Sequence, residues 1–401
     1  MQLIFLAIVF VAIIALLAFR RPLYQAILGG LVLMVILYRI PLTAVAFGIW
    51  TVFSNWSTCS ILVSLYLITF LQRMLEKRSQ IKLAQQDLNG LFHNRRVNAT
   101  VAPMFIGLLP SAAAMILCGD IMKDATEGYL EPKEQAFVTN WIRHIPESTL
   151  PTYSGVLLMA TLSGLPLPQF TLTMIVPVIV LILIGYFPLI HKLPKDPGTP
   201  KSENRLKDAF GLFAHLWSLL LILVLILAFQ LGIVPSILIS IAACVLVYRF
   251  SLTELKPMVK SAFEKKLLSN TFLVLILKEL IGYTGVLATL PELLEDLPIP
   301  SYIVFALMFF LGGIISGSSG IIALGTPLAF AAIPSGGVPL MALLMCMSHA
   351  ASMLSPTHVC SVVAADYFGV SLGQLIRKTI LPTVLFCVLM LGYYNVLTSV
   401  M

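Results

Sequence analysis

The chain has 401 residues, of which 59% are hydrophobic and 11% are charged, whereas a soluble domain carries about 25% charged residues. So few charges cannot cover a water-facing surface, and the lipid bilayer is the natural solvent. The net charge of +7 does not indicate nucleic-acid binding, because no basic face with interleaved aromatic residues exists. Composition therefore predicts an all-α polytopic membrane protein whose surroundings are lipid, without a nucleic-acid partner.

Apolar runs suited to crossing a hydrocarbon layer of about 30 Å, which takes roughly 17–25 residues, recur along the whole chain. They lack the alternation typical of transmembrane β-strands, which disfavours an outer-membrane barrel. We expect about ten transmembrane helices from them. The runs are residues 3–19, 23–37, 56–71, 170–190, 210–229, 233–247, 267–287, 302–315, 338–365 and 379–396.

The first run and the cysteines exclude two other features. The first run lacks a basic leading segment and is followed by Arg20 and Arg21, which favours a retained helix over a cleaved signal peptide. The cysteines lie mostly inside apolar runs without ligand spacing, which predicts core residues and neither disulfides, a metal site nor a cofactor. They are Cys59, Cys118, Cys244, Cys346, Cys360 and Cys387.

Basic residues predict the orientation. With Arg20 and Arg21 in the cytoplasm, both termini of the chain fall outside the cell membrane. The Lys- and Pro-rich stretch 191–207 then reads as a cytoplasmic linker between two domains. For the linker to be inside, the first half must cross an odd number of times. This holds if residues 97–140, interrupted by Pro103, Gly107 and Pro110, form a re-entrant hairpin buried in protein.

The second half follows the same plan from the opposite side, which predicts two inverted five-helix repeats. Each repeat is expected to contain scaffold helices, a hairpin, a broken helix and a final helix. In the first repeat, 1–190, these are residues 1–72, 97–140, 141–167 and 170–190; in the second, 208–401, they are residues 210–287, 301–333, 338–367 and 379–398.

Weak internal similarity supports the duplication. An offset of 205 residues aligns His144 with His349 and Pro151-Thr152 with Pro356-Thr357. The shared H-x6-P-T element falls inside an otherwise spanning segment of each half. An internal Pro removes a backbone donor and interrupts the helix. The interruption leaves carbonyls suited to a small cation and amides suited to an anionic group. The alternative is a Pro kink whose backbone groups are satisfied by neighbouring Ser or Thr.

These interruptions and the small residues at the hairpin tips define the candidate site. The predicted binding residues are Ser111, Glu147, Ser148, Thr149, Thr152, Ser316, Ser318, Ser319, Thr326, Ser355, Thr357 and His358. Residues expected to break or brace the helices are Pro110, His144, Pro151, Pro327, His349 and Pro356. Arg143 and Asp366 are candidates for carrying a proton or pairing with a charge, because ionisable residues within spans are functional candidates by default.

This organisation resembles the ion transporter superfamily, which includes gluconate permeases, large subunits of C4-dicarboxylate carriers, citrate carriers and divalent-anion symporters. Within it, the chain looks like the membrane-protein family catalogued as domain of unknown function 401. The resemblance covers nearly the whole chain and is carried locally by residues 107–111, 144–152, 316–320 and 355–357. It implies a scaffold domain and a moving transport domain, often working as an elevator in a homodimer.

The resemblance predicts a secondary active transporter for a small organic or inorganic anion of the carboxylate type, coupled to Na⁺ or H⁺. The superfamily's Ser-Asn-Thr signature is replaced by Ser316-Gly317-Ser318 and Ser355-Pro356-Thr357, which leaves substrate and coupling ion open. No enzyme activity is expected. One alternative is an intramembrane hydrolase using His144, His349, His358, Glu147 and Asp366 as metal ligands or acid–base groups, although HExxH, GxSxG and paired Asp motifs are absent. A passive channel is the other alternative.

Overall fold

The computed structural model describes most of the chain. The described residues are 2–19, 21–80, 82–84, 87, 94–107, 113–151, 153–196, 204–286, 298–356 and 358–400. Four predicted site residues, Pro110, Ser111, Thr152 and Thr357, lie outside them. Within the described part all regular structure is helical, which confirms the all-α prediction. Seven of these helices are long and apolar enough to cross a membrane.

The first half of the chain contains helices α1 to α10. Two short 3₁₀ turns, Ile145–Ser148 and Ile190–Lys192, lie among and after them. The helices are α1 (Gln2–Ala18), α2 (Leu23–Leu37), α3 (Leu42–Ser54), α4 (Trp56–Lys77), α5 (Arg95–Ile106), α6 (Ala113–Thr126), α7 (Pro132–His144), α8 (Ser154–Ser163), α9 (Leu167–Thr173) and α10 (Ile175–Tyr186).

The second half contains helices α11 to α18, with a 3₁₀ turn at Pro334–Gly336. They are α11 (Arg205–Leu227), α12 (Ile233–Val247), α13 (Leu252–Ser261), α14 (Lys265–Thr284), α15 (Ser301–Ala332), α16 (Gly337–Leu354), α17 (Val359–Tyr367) and α18 (Leu372–Val400). Their order follows that of the first half, since α11 to α14 correspond to α1 to α4 and α15 to the pair α5–α6.

A second sequence offset accompanies this correspondence. Helices α2 and α12 begin and end 210 residues apart, and the chain reads Tyr38-Arg39 after α2 and Tyr248-Arg249 after α12. Both arginines adopt positive φ angles, 52° and 48°, which is uncommon for a residue with a side chain. The two turns therefore share an unusual backbone as well as a sequence.

Each half contains a segment that folds back on itself. In α15 the chain reverses at Gly317 (φ 73°, ψ 165°). A Cβ built on Gly325 would lie 2.5 Å from the ring of Phe309, although the two residues are sixteen positions apart in sequence. Helices α5 and α6 also pack antiparallel, because Arg95 donates to the carbonyl of Ala125 at 3.3 Å and Cys118 contacts that of Pro103.

The helix before the first interruption is longer than the sequence analysis expected. Helix α7 begins at Pro132, whereas the predicted broken helix began at residue 141. Pro at the first helical position is preorganised for a helix. The Glu134 carboxylate also accepts a hydrogen bond from the Glu131 N–H at 3.3 Å, as in a capping box. These two signals start the helix nine residues earlier.

Helix α16 lies at the centre of the molecule. Of the residues in its apolar window, 89% are buried, against 22% in α18. Helix α16 packs against α15, α18 and α8, so the interrupted helices occupy the interior. In the apolar windows of the spans 167–186, α11 and α18, only 28%, 22% and 22% of the residues are buried, as is expected of helices that face lipid.

Candidate functional site

The first interruption separates α7 from α8. Helix α7 ends at His144, the 3₁₀ turn follows, and α8 resumes at Ser154. The Thr149 hydroxyl donates to the carbonyls of Ile145 at 3.4 Å and Pro146 at 3.3 Å, so it satisfies groups that the interruption leaves open. Ser148 is buried, and its hydroxyl has no hydrogen-bond partner among the described residues. Ser148 is therefore the more available of the two hydroxyls.

Three ionisable side chains cluster at this interruption because their spacing places them on one helical face. Glu147 Oε2 lies 3.5 Å from Arg143 Nη1 and 3.5 Å from His144 Nε2. Arg143 is 2% and His144 0% exposed, while Glu147 is 29% exposed. A buried guanidinium therefore lies beside a carboxylate that is partly accessible to solvent.

The second interruption separates α16 from α17. The Ser355 hydroxyl donates to the carbonyl of Ile314 at 2.8 Å, close to the reversal of α15. Pro356 is exposed, and His358 precedes the first residue of α17. The Ser318 hydroxyl donates to the carbonyl of Ser348 at 3.2 Å. The second interruption therefore lies against the turn of its own hairpin.

The first interruption lies against its own hairpin in the same way. The Tyr153 hydroxyl donates to the carbonyl of Gly107, the last described residue before the α5–α6 turn. A Cβ on Gly107 would lie 2.3 Å from the carbonyl oxygen of Arg143. Only a residue without a side chain permits this approach of the two backbones.

The two interruptions meet each other. Nε2 of His144 and Nε2 of His358 share a hydrogen bond of 2.8 Å across 214 residues of sequence. One helical turn away, Asn140 Nδ2 donates to the Ser361 hydroxyl at 3.2 Å. Side chains from both halves therefore form one continuous polar cluster.

Other predicted residues have separate surroundings. The Ser316 hydroxyl donates to the carbonyl of Gly312 within its own helix at 2.8 Å, and Ser319 is exposed. Thr326 is buried and its hydroxyl contacts the sulfur of Met159 at 3.2 Å. Asp366 is exposed at the far end of α17. The structure does not bring these four residues into the polar cluster.

His349 and Pro327 also lie apart from the cluster, and Pro151 belongs to the backbone of the first interruption. The His349 ring packs edge-on against Phe386 with 6.0 Å between centroids, and its Nε2 has no hydrogen-bond partner among the described residues. Pro151 is buried within the first interruption. Pro327 lines a cavity of about 460 Å³ together with Lys278 and Glu279 of α14.

Sequence analysis missed four members of the cluster. Asn140 and Tyr153 flank the first interruption, and Cys360 and Ser361 open α17. Asn140 precedes His144 by one helical turn, which is a usable signal once α7 is known to be a helix. Cys360 lies two residues after His358, but its other neighbour in the cluster, His144, comes from the other half of the chain.

An apolar cavity of about 350 Å³ adjoins the first interruption. It lies between the end of α5, the 3₁₀ turn and helices α9 and α10. Its lining residues are Met104, Phe105, Ile145, Pro146, Thr149, Leu150, Thr171, Met174, Ile175, Val178 and Ile179. The cavity offers apolar surface beside the charged cluster.

The fold defines an all-helical protein whose long apolar helices suit an integral membrane protein. The chain belongs to the family described as protein of unknown function (DUF401), whose model matches residues 2–397. This match confirms the predicted family. No curated protein matches the chain.

Proposed function

We propose that the protein is a secondary active transporter that moves a small anion of the carboxylate type across the cell membrane, coupled to Na⁺ or H⁺. The main support for this proposal is that two interrupted helices, one from each half, meet at the His144–His358 hydrogen bond. Each interruption also contacts the hairpin of its own half. Discontinuous helices that meet in this way bind solute and coupling ion in many transporters.

The proposal includes an inverted repeat of the ion transporter superfamily type. Mirrored helix contacts support it: α2 packs on α14 as α12 packs on α4, and α8 packs on α15 as α17 packs on α6. Helix α7 packs on α17 as α16 packs on α8. With five crossings in each half, the linker at 191–207 is cytoplasmic and both termini are outside.

The charges of the cluster suit an anion. Among the described residues, no side chain caps the N-terminus of α8 or α17, and helix N-termini favour negative charge. Arg143 adds a buried guanidinium, which pairs with carboxylates through charge-assisted hydrogen bonds. An incoming carboxylate would compete with Glu147 for Arg143, and the released Glu147 would take up a proton or, with the Ser148 hydroxyl, a Na⁺ ion.

The moving part would consist of the two hairpins and the two broken helices. The scaffold would consist of α1–α4 and α11–α14, whose halves are joined by the α2–α14 and α4–α12 contacts. We propose an elevator-type movement of the first part against the second, within a homodimer held by the scaffold.

The test is uptake by purified protein in liposomes. Carboxylates and inorganic anions are screened with and without Na⁺ and at two pH values. We expect saturable uptake of one anion class that depends on Na⁺ or on the pH gradient. Flux without saturation or coupling would indicate a channel instead, and hydrolysis of a substrate would indicate an enzyme.

A matched pair of variants tests the site. Glu147→Gln should abolish the dependence of uptake on the ion, because the amide neither takes up a proton nor offers a charge to Na⁺. Glu279→Gln changes a partly buried carboxylate on α14 outside the cluster and should leave coupling intact. Size-exclusion profiles check that both variants fold. Equal coupling in the two variants would remove the proposed role of Glu147.

The orientation is tested by accessibility labelling. Single cysteines are placed at the amino terminus and at Lys195 in a variant lacking the natural cysteines. A membrane-impermeant reagent should label the first from outside and the second only after the membrane is opened. Labelling of both positions from the same side would contradict the inverted repeat.

A further inference from the structure

The polar cluster contains ligand atoms of the type that bind transition metals. One ring nitrogen each from His144 and His358 and the sulfur of Cys360 all lie within 4.8 Å of one another. Among the described residues this is the only group of three or more His, Cys, Asp or Glu side chains so placed. The cluster joins α7 to the start of α17, so its members come from both halves.

The hydrogen bonds of His144 leave its Nε2 available to bind a metal ion. His144 Nδ1 lies 2.5 Å from the carbonyl oxygen of Asn140, and since a carbonyl only accepts, Nδ1 carries the proton. Nε2 of His144 therefore presents a lone pair toward His358. This is the arrangement of a metal-bound histidine, whose second nitrogen is typically held by a carbonyl or carboxylate.

The space between the two Nε2 atoms holds a shared proton, and a metal ion can take the place of that proton. With His144 Nε2 unprotonated, His358 Nε2 must donate the proton of their 2.8 Å hydrogen bond. A metal ion can replace this proton if His358 moves its proton to Nδ1. Two nitrogens on a tetrahedral Zn²⁺ at about 2.0–2.1 Å are separated by roughly 3.3 Å, so the rings need to part by only about half an ångström.

Glu147 lies beside this group of three and is the candidate for the fourth donor and for the charge balance. Glu147 Oε2 lies 3.5 Å from His144 Nε2 and faces partly accessible space. The Cys360 thiolate and the Glu147 carboxylate carry two negative charges against the divalent ion, and Arg143 already contacts Glu147 at 3.5 Å. Histidine nitrogen, cysteine sulfur and carboxylate oxygen are all ligands that Zn²⁺ accepts, whereas Mg²⁺ and Ca²⁺ require oxygen ligands.

We propose that His144, His358 and Cys360, with Glu147 as the fourth donor, bind one Zn²⁺-type ion between the two interrupted helices. Binding releases the thiol proton of Cys360 to solvent and involves no change of oxidation state. The site shares Glu147 and His358 with the proposed solute site. Metal binding does not require transport, so the site goes beyond the proposed function.

The experiment measures metal binding to the purified full-length chain. Protein stripped with a chelator is dialysed against Zn²⁺, Co²⁺ or Mg²⁺, and bound metal is counted by mass spectrometry. We expect one tightly held Zn²⁺ per chain, no retained Mg²⁺, and a thiolate-to-metal charge-transfer band with Co²⁺. Zn²⁺ should also raise the unfolding temperature, because it binds the folded state.

Matched cysteine variants assign the site. Cys360→Ser should abolish the Co²⁺ charge-transfer band and weaken Zn²⁺ binding by at least about tenfold, since even the loss of a ligand's hydrogen-bonding partner costs about 10–100-fold in affinity. Cys59→Ser removes a comparably half-buried thiol on α4, outside the cluster, and should behave as the unaltered protein. His358→Gln provides a second test of the same ligand set if the serine variant does not fold.

Three outcomes would overturn the proposal: no stoichiometric Zn²⁺, a Co²⁺ band that survives Cys360→Ser, or retention of Mg²⁺ in place of Zn²⁺. Uptake measured on the same preparations separates this proposal from the transporter proposal. Coupled uptake without metal binding would contradict the metal site alone. Metal binding without uptake of any anion would contradict the transporter alone.

Discussion

The two interruptions of the molecule have similar backbones and different chemistry. At the offset of 205, Arg143 corresponds to Ser348, Glu147 to Ser352, and Tyr153 to His358. The first interruption therefore contains a charged pair of a buried guanidinium and a partly exposed carboxylate, while the second presents hydroxyls and a histidine. The comparison teaches that similarly placed interruptions can present different side chains. The polar cluster joins the charged residues of the first interruption to His358 of the second.

The histidines of the shared element show the same divergence. His144 uses both ring nitrogens, one toward Asn140 and one toward His358. His349, its counterpart, packs on Phe386 and has no partner at Nε2 among the described residues. Equivalent sequence positions therefore differ in their surroundings, because His144 faces His358 of the other half whereas His349 faces Phe386 of its own half.

The largest expected effect comes from removing the charge that only the first interruption has. Arg143→Met should abolish anion uptake and destabilise the protein by on the order of 3 kcal/mol or less, because it leaves Glu147 without its buried partner while Glu147 still reaches solvent. Uptake in liposomes and thermal unfolding in detergent measure the two effects.

The counterpart variant sharpens this comparison. Ser348→Ala removes a buried hydroxyl that has no partner among the described residues, so the free energy of unfolding should change by less than about 1 kcal/mol. Uptake should continue. If Ser348→Ala proved as damaging as Arg143→Met, the two interruptions would be equivalent and the asymmetry of the site would be refuted.

A smaller effect distinguishes the two hairpins. At Gly107 an added Cβ meets the backbone oxygen of Arg143 at 2.3 Å, whereas at Gly312 it meets the flexible end of Ile321 at 2.7 Å. Gly107→Ala should destabilise the protein by about 1–3 kcal/mol, as overpacking does. Gly312→Ala should be nearly neutral, because Ile321 can rotate away. Thermal unfolding of the two variants side by side tests the difference, and equal stability loss would count against the close backbone approach at Gly107.

The smallest effect concerns the amphipathic helices α3 and α13. The Arg78 guanidinium donates to Glu254 at 2.8 and 3.2 Å, which lowers the pKa of this carboxyl from 4.5 to about 2. Helix α3 has Ala44 at the corresponding position. Because the folded-state pKa is depressed, the stabilising contribution is complete above pH 4.5 and is lost as pH falls toward 2.

This pH effect is checked by melting curves of the unaltered protein and of Glu254→Gln. The variant should lose stability less steeply between pH 4.5 and pH 2, since its side chain does not titrate. Superimposable profiles in that window would show that the Arg78 contact does not stabilise the folded state.

Much of the architecture follows from local sequence. Apolar runs predict the helices, and the H-x6-P-T elements mark both interruptions, because hydropathy and Pro act locally on the backbone. The second repeat signal, Tyr38-Arg39 and Tyr248-Arg249, does not align at the offset of 205 residues. The first half has about five more residues between its scaffold and its later elements, so one offset cannot align both parts.

The composition of the cluster could not be predicted in the same way. The contact of His144 with His358 spans 214 residues and depends on how the two halves pack. Cys360 was predicted to be a core residue because the cysteines lie mostly inside apolar runs and show no CxxC or other ligand spacing. Thr326 and Asp366 were chosen for their chemistry within spans, but helix geometry places Thr326 against Met159 and leaves Asp366 exposed.

The reversal at Gly317 sets the distance that α15 spans. Its φ of 73° and ψ of 165° belong to a region that is essentially restricted to glycine. As one uninterrupted rod, the 32 residues of α15 would extend about 48 Å at 1.5 Å per residue. A hydrocarbon layer is only about 30 Å thick, so a rod of that length would overshoot it. Because Gly317 lacks a Cβ, the segment can fold back as a hairpin and need not form a straight helix longer than the hydrocarbon layer is thick.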